Sequence, residues 1–165
     1  SGLRMQSDAG EDLQAYPDPR FSAALVMSGV GQVPPMANMP QVAYMADDAF
    51  TGLTGPLIAS GGSLDEGNVG TGVTYPWEWR MAPYTLAPAG DKYALVLRDA
   101  DHYLGGLICR EDRGGADDPE AVNTVRSAQT AFLDGYLKDD QAALRWLRVA
   151  DFTALSGDRA ELTYK

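Results

Sequence analysis

Lys92-Tyr93-Ala94-Leu95-Val96-Leu97-Arg98 is a short, almost uniformly apolar run that stops at Asp99-Ala100-Asp101-His102. A strand with one wet face alternates polar and apolar residues. A run without that beat is a strand covered on both faces, as in a parallel sheet flanked by helices. Two more such runs precede it. Phe21-Ser22-Ala23-Ala24-Leu25-Val26-Met27-Ser28 is closed by Gly29 and Gly31, and Pro56-Leu57-Ile58-Ala59-Ser60 is closed by Gly61-Gly62. The connection from Gly62 to Lys92 is about 30 residues, more than the dozen a parallel crossover needs.

The intervening segments fill in an α/β arrangement. Tyr75 to Leu86 admits a short helix, with Pro76 near its start and Pro83 limiting its length. Val30 to Gly55 is rich in Pro and Met (Met36, Met39, Met45) and reads as irregular, its methionines filling core gaps or a pocket wall. The clearest helix opens with Asp118 as cap, Pro119 at the first position and Glu120 at the positive end of the dipole. Val122, Val125, Ala128, Phe132 and Tyr136 then recur at helical spacing, widened by Ala121, Leu133 and Leu137. A second helix starts at Asp139 or Asp140 and carries Ala143, Leu144, Trp146 and Leu147. Residues 1–147 form one domain portion. Residues 148–165 form a tail, weakly structured or packed on it, with a turn at Ser156-Gly157-Asp158 and a weak strand over Ala160 to Tyr164.

Composition narrows the function classes. The 165 residues are 45% hydrophobic and 22% charged, enough to bury a core. Thirteen Lys and Arg against 23 Asp and Glu give a formal charge of −10, a field that repels nucleic-acid backbones and anionic lipid. Cys109 and His102 are the only residues of their kinds, too few for a Cys/His zinc site or an internal disulfide. No apolar run approaches the roughly 18 residues of a membrane span. Gly29-Val30-Gly31 lacks the third glycine of the dinucleotide fingerprint, and no Gly-x-x-x-x-Gly-Lys occurs, so phosphate binding is not expected. The Gly67 to Gly72 cluster reads as a loop, and Asp99 with Asp101 supplies too few oxygens for a metal.

Two strand ends carry the chemistry. One runs into Gly61-Gly62-Ser63-Leu64-Asp65-Glu66, the other into Asp99-Ala100-Asp101-His102-Tyr103. Functional residues of open parallel sheets gather just past the carboxyl ends of the strands. If these strands are neighbours, the Asp65 carboxylate and the His102 imidazole meet on one rim. A buried carboxylate accepting from one ring nitrogen leaves the other as proton acceptor, the base-and-orienter half of a catalytic triad. Tyr75, Trp77, Trp79 and Tyr103 lie beside these loops and either line a pocket or pack the crossover.

In these features the chain resembles the α/β-hydrolases, and among them the dienelactone-hydrolase-like and platelet-activating-factor-acetylhydrolase-like esterases. The resembling residues are Asp18-Pro19-Arg20-Phe21-Ser22-Ala23-Ala24, entering the sixth strand of that fold, Gly61 to Asp65 after the seventh, and Asp101-His102 after the eighth. The helix ending in Asp139-Asp140-Gln141-Ala142-Ala143-Leu144-Arg145-Trp146-Leu147 completes them. The resemblance implies the last three strands of a mainly parallel sheet with flanking helices, Asp65 as triad acid and His102 as general base. It implies hydrolysis of a small-molecule carboxylic ester, or of a lactone or amide, through an acyl-enzyme without cofactor or metal.

One departure is equally informative. The nucleophile of that family stands in Gly-x-Ser-x-Gly, a strand-to-helix elbow, and this pattern occurs nowhere in the chain. Ser28, Ser60 and Ser63 lie near the relevant strands, but none is on such an elbow. The chain begins Ser1-Gly2-Leu3-Arg4 without an initiator Met, and the expectation is a carboxyl-terminal portion of a serine hydrolase, inactive by itself. The nucleophile half then precedes it in the same polypeptide or belongs to a second chain. A non-catalytic α/β domain that binds a ligand or partner is the alternative.

Overall fold

The apolar runs form strands, but only Leu57–Gly62 and Lys92–Leu97 bury both faces; Ala24–Met27, at the sheet edge, is partly buried, with Ala24 and Met27 exposed. In a computed structural model, which describes residues 5–6, 12–13, 18–33, 45, 48–67, 72–108 and 117–165, β1 (Met5–Gln6) and β2 (Asp12–Leu13) pair as a small antiparallel ribbon. The main sheet follows with β3 (Ala24–Met27), β4 (Leu57–Gly62), β5 (Lys92–Leu97) and β6 (Ala160–Tyr164), in that spatial order. β3, β4 and β5 are parallel, with Ala24 opposite Leu57 and Leu57 opposite Lys92, whereas β6 runs antiparallel along β5. All six residues of β4 are buried. The molecule is an α/β protein with a mostly parallel four-stranded sheet.

Alternation along the strands divides the core in two. Ile58, Tyr93, Leu95 and Leu97 face one side, against α2 (Pro119–Leu137) through Val125, Ala128 and Phe132. Leu57, Ala59 and Ala94 face the other, against Met81 and the partly buried Trp77 and Tyr84. Met81 ends a 3-10 helix, Trp77–Met81, that runs directly into α1 (Ala82–Thr85). The single short helix expected here is thus two tight turns, with Pro83 in the first turn of α1. Val33, Met45, Ala49, Phe50 and Ala82 form a third apolar cluster, in which Met45 fills core space as its composition suggests.

The aspartate caps work as read. Asp118 accepts from the Ala121 amide at 3.0 Å, and Asp140 accepts from the Ala142 and Ala143 amides at the start of α3 (Gln141–Val149). Asp151 accepts from Ala154 N at the start of α4 (Phe152–Leu155). The stripe on α2 is rotated slightly from the expected one: Ala121, Val125, Ala128, Phe132 and Gly135 are buried, while Leu137 is exposed. β3 is shorter than its apolar run, because it pairs only where β4 lies beside it, and Phe21 is left 77% exposed. Residues 148–165 pack into the domain, since β6 pairs with five of the six residues of β5. Trp146 packs on Phe152, with ring centroids 5.0 Å apart. Cys109, Met36, Met39, the start at Ser1 and most of the Gly67–Gly72 loop lie outside the described residues. Among the described residues no helix is long and apolar enough to cross a membrane.

Asp118 also meets Arg159, which donates to both its carboxylate oxygens and to Glu120 Oε2, tying the start of α2 to the strand beside it. The Arg159 guanidinium, and after it the Ala121 amide, holds the Asp118 carboxyl below the usual carboxylate range. A depressed carboxyl stabilises the fold at neutral pH and loses that contribution as pH falls through its folded value. Asp118→Ala is expected to cost about 1 kcal/mol at neutral pH by the loss of the cap. Urea titrations should show the gap between the two proteins closing as the medium becomes strongly acidic.

Candidate active site

The carboxyl tips of β4 and β5 are laced together before any functional side chain is placed. Ser63 N donates to Leu97 O at 2.9 Å, Leu64 N donates to Ala100 O at 2.9 Å, and Asp99 N donates to Ser63 Oγ at 2.8 Å. Asp65 N closes a turn onto Gly62 O at 3.1 Å. Gly62 is what lets the second loop cross so near. A Cβ there would lie 2.2 Å from Ala100 O and 2.7 Å from Asp101 O, both backbone atoms that cannot swing aside.

That crossing brings the two sequence-predicted residues together. His102 Nδ1 is 2.9 Å from Asp65 Oδ2 and 3.1 Å from Oδ1. The Asp65 side chain is 2% exposed and that of His102 40% exposed, so a buried carboxylate grips a ring that is itself partly open to solvent. The carboxylate can only accept, so Nδ1 carries the proton, and in the neutral ring Nε2 is the acceptor. Tyr103 stands edge-on to the imidazole at 5.3 Å. Its amide donates to Asp101 Oδ1 at 2.9 Å, which fixes the turn that presents His102.

Sequence reasoning missed two partners of this pair. Arg80, from the 3-10 helix, donates through Nε to Asp65 Oδ1 at 3.1 Å. Ser28, at the end of β3, donates its hydroxyl to the backbone carbonyl of His102 at 2.7 Å and is 6% exposed. A signal for Arg80 was present: a lone cation between Trp79 and Met81, in a chain whose excess charge is negative. For Ser28 none was, because a hydroxyl bonding a remote carbonyl leaves no trace in spacing.

The serines near the strand tips have these structural duties. Ser63 accepts from Asp99, and buried Ser60 accepts from Gln129 Nε2 at 3.3 Å. Ser28 has one feature of an elbow, a left-handed backbone with φ of 44°, but its hydroxyl is spent on the His102 carbonyl. Of the aromatic residues beside the site, Tyr75, Trp77 and Trp79 pack the crossover, Tyr75 stacking on Trp79 at 4.8 Å, Trp79 Nε1 donating to Gln32 O at 2.8 Å and Trp77 lying against the sheet, whereas Tyr103 packs on the imidazole. A cavity of about 430 Å³, lined by residues including Arg98, Asn123, Leu155 and Arg159, includes neither Asp65 nor His102.

The arrangement is that of an oriented general base, able to take a proton at Nε2 and to hold the resulting imidazolium against a buried carboxylate. No protein-family model matches the chain, and no curated protein matches it.

Proposed function

We propose that this chain supplies the acid and base of a serine hydrolase of the α/β-hydrolase type, acting on a carboxylic ester or a related lactone or amide. The observation that carries the reading is the Asp65–His102 contact across adjacent parallel strand tips, made by residues 37 positions apart. In this reading His102 Nε2 takes the proton of a serine hydroxyl as that oxygen attacks the carbonyl carbon. It then gives the proton to the leaving oxygen of an ester or lactone, or to the leaving nitrogen of an amide, and the acyl-enzyme remains. Water repeats the sequence and frees the serine. Asp65 keeps the ring in the required tautomer throughout.

The serine itself comes from outside the segments that hold the pair. The three serines at the strand tips are engaged, and no Gly-x-Ser-x-Gly is present. Among the described residues β3 has a single neighbour, β4, so a further strand bearing the elbow has a free edge to join. That strand belongs to an upstream part of the same polypeptide or to a second chain.

The test uses an activated ester and a fluorophosphonate probe. The 165-residue chain is expected to be silent with both. Extended by its upstream coding sequence, or mixed with a partner chain, it should turn over the ester and label on a serine. His102→Ala should then lower kcat by about 10⁶. Turnover by the chain alone that is lost on His102→Ala would overturn the placement of the serine outside it, and turnover that survives His102→Ala would overturn the whole reading. So would an extended protein or assembly that labels on no serine, which would leave a binding domain.

A further inference from the structure

Arg80 is the partner of Asp65 that the acid–base reading leaves unused. Its side chain is 11% exposed, and its guanidinium has acceptors on two separate loops. Nε donates to Asp65 Oδ1 at 3.1 Å, Nη1 donates to Gly29 O at 3.2 Å, and Nη2 reaches Glu66 O at 3.4 Å. The indole of Trp79 covers it, with the guanidinium carbon 5.2 Å from the ring centroid. Trp79 is in turn tied to Gln32 O, the residue after Gly31, where a Cβ would lie 2.5 Å from the same indole. A planar fork with five donors suits this set of acceptors, whereas an ammonium reaches fewer of them at once.

We propose that Arg80 is a positioning residue for the pair: it fixes the Asp65 carboxylate, and through it the proton on His102 Nδ1. The proposal deepens the acid–base reading and takes its functional meaning from it. Two physical effects compete here. Among the described residues, removing the guanidinium leaves the imidazole as the one side-chain partner of the carboxylate, which tightens their bond. It also unties Asp65 Oδ1, Gly29 O and Glu66 O together, which lets the carboxylate turn. The fork spans both loops, whereas the charge of Arg80 acts at one oxygen that His102 already shares. Position therefore outweighs competition.

His102 is the only histidine, so the imidazole Nδ1 proton is a single NMR signal that needs neither a nucleophile nor an ester. In the full 165-residue chain, Arg80→Met is expected to speed exchange of that proton with water by about tenfold or more. Arg80→Lys, which returns a cation beside Oδ1, should recover part of the protection. Exchange unchanged in Arg80→Met overturns the proposal. Slower exchange also does, because it makes Arg80 a competitor for the carboxylate. Should Arg80→Met fail to fold, the Arg80 Nε proton of the unaltered chain decides. Protection relative to exposed Arg145 supports the proposal, and exchange as fast as that of Arg145 overturns it. Failure of ester hydrolysis leaves these measurements standing, and an unprotected Arg80 leaves the hydrolysis assay standing.

Discussion

In the hydrolase proposed above, Asp65→Asn is expected to lower kcat by about 10⁴ while moving KM little, since the acid of that proposal touches the base and not the substrate. The asparagine keeps the shape of the side chain but offers one carbonyl oxygen and one amide nitrogen. Two donors now point at this position, His102 Nδ1 and Arg80 Nε. One of them must face an NH₂ group. If the imidazole yields, it takes the opposite tautomer and Nε2 holds a proton where an acceptor is needed. Whichever donor yields, Arg80, a cation that is 11% exposed, no longer faces a carboxylate, and stability falls as well. The asparagine variant should therefore be less stable than the parent, and initial-rate kinetics with parallel thermal melts separate the two losses. Full kcat in Asp65→Asn would remove Asp65 from the mechanism.

Gly62→Ala is the second large effect. Gly62 has an ordinary φ, so the obstacle is space alone: a methyl group would press on Ala100 O, Ala100 C and Asp101 O, at 2.2, 2.6 and 2.7 Å. All three are main-chain atoms of the turn that presents His102, and they must retreat by about 1 Å to reach ordinary contact. Overpacking of this kind costs about 2–3 kcal/mol. For a chain of this size that corresponds to a melting temperature lower by roughly 5–10 °C. The displacement also separates the imidazole from Asp65, and a shift of about 1 Å at a reacting group lowers kcat about 10²-fold or more. A variant as stable as the parent, with the Nδ1 proton still protected, would show that the crossing of the two loops tolerates bulk.

Much of this site was legible because strand ends declare themselves. Uniform apolar runs closed by Gly61-Gly62 and by Asp99 marked β4 and β5, and their carboxyl tips marked Asp65 and His102. The caps of α2 and α3 were equally plain, since an aspartate before a helix acts through its nearest amides. What escaped depends on contacts between distant segments. Arg80 works from a 3-10 helix with no periodic signature, and Ser28 through a backbone carbonyl 74 positions away. β6 read only as a weak strand because its pattern is mixed and its pairing is set by β5. The rotation of the α2 stripe has the same origin: the sheet it covers decides which of Ala121 and Val122 turns inward.

The turn carrying His102 is fastened from two neighbouring strands. Ser28 at the tip of β3 grips its carbonyl, and Leu64 beyond β4 donates to Ala100 within it, while β5 leads into it. Ser28 N is itself bonded to Ser60 O on β4, so these attachments share one continuous ladder. The backbones that bear proton donor and acceptor therefore do not drift apart by the flicker of a single surface segment. They part when the strands shear past one another, a rare and collective opening, and with the scaffold held this way it is side-chain rotation that is left to misalign the pair.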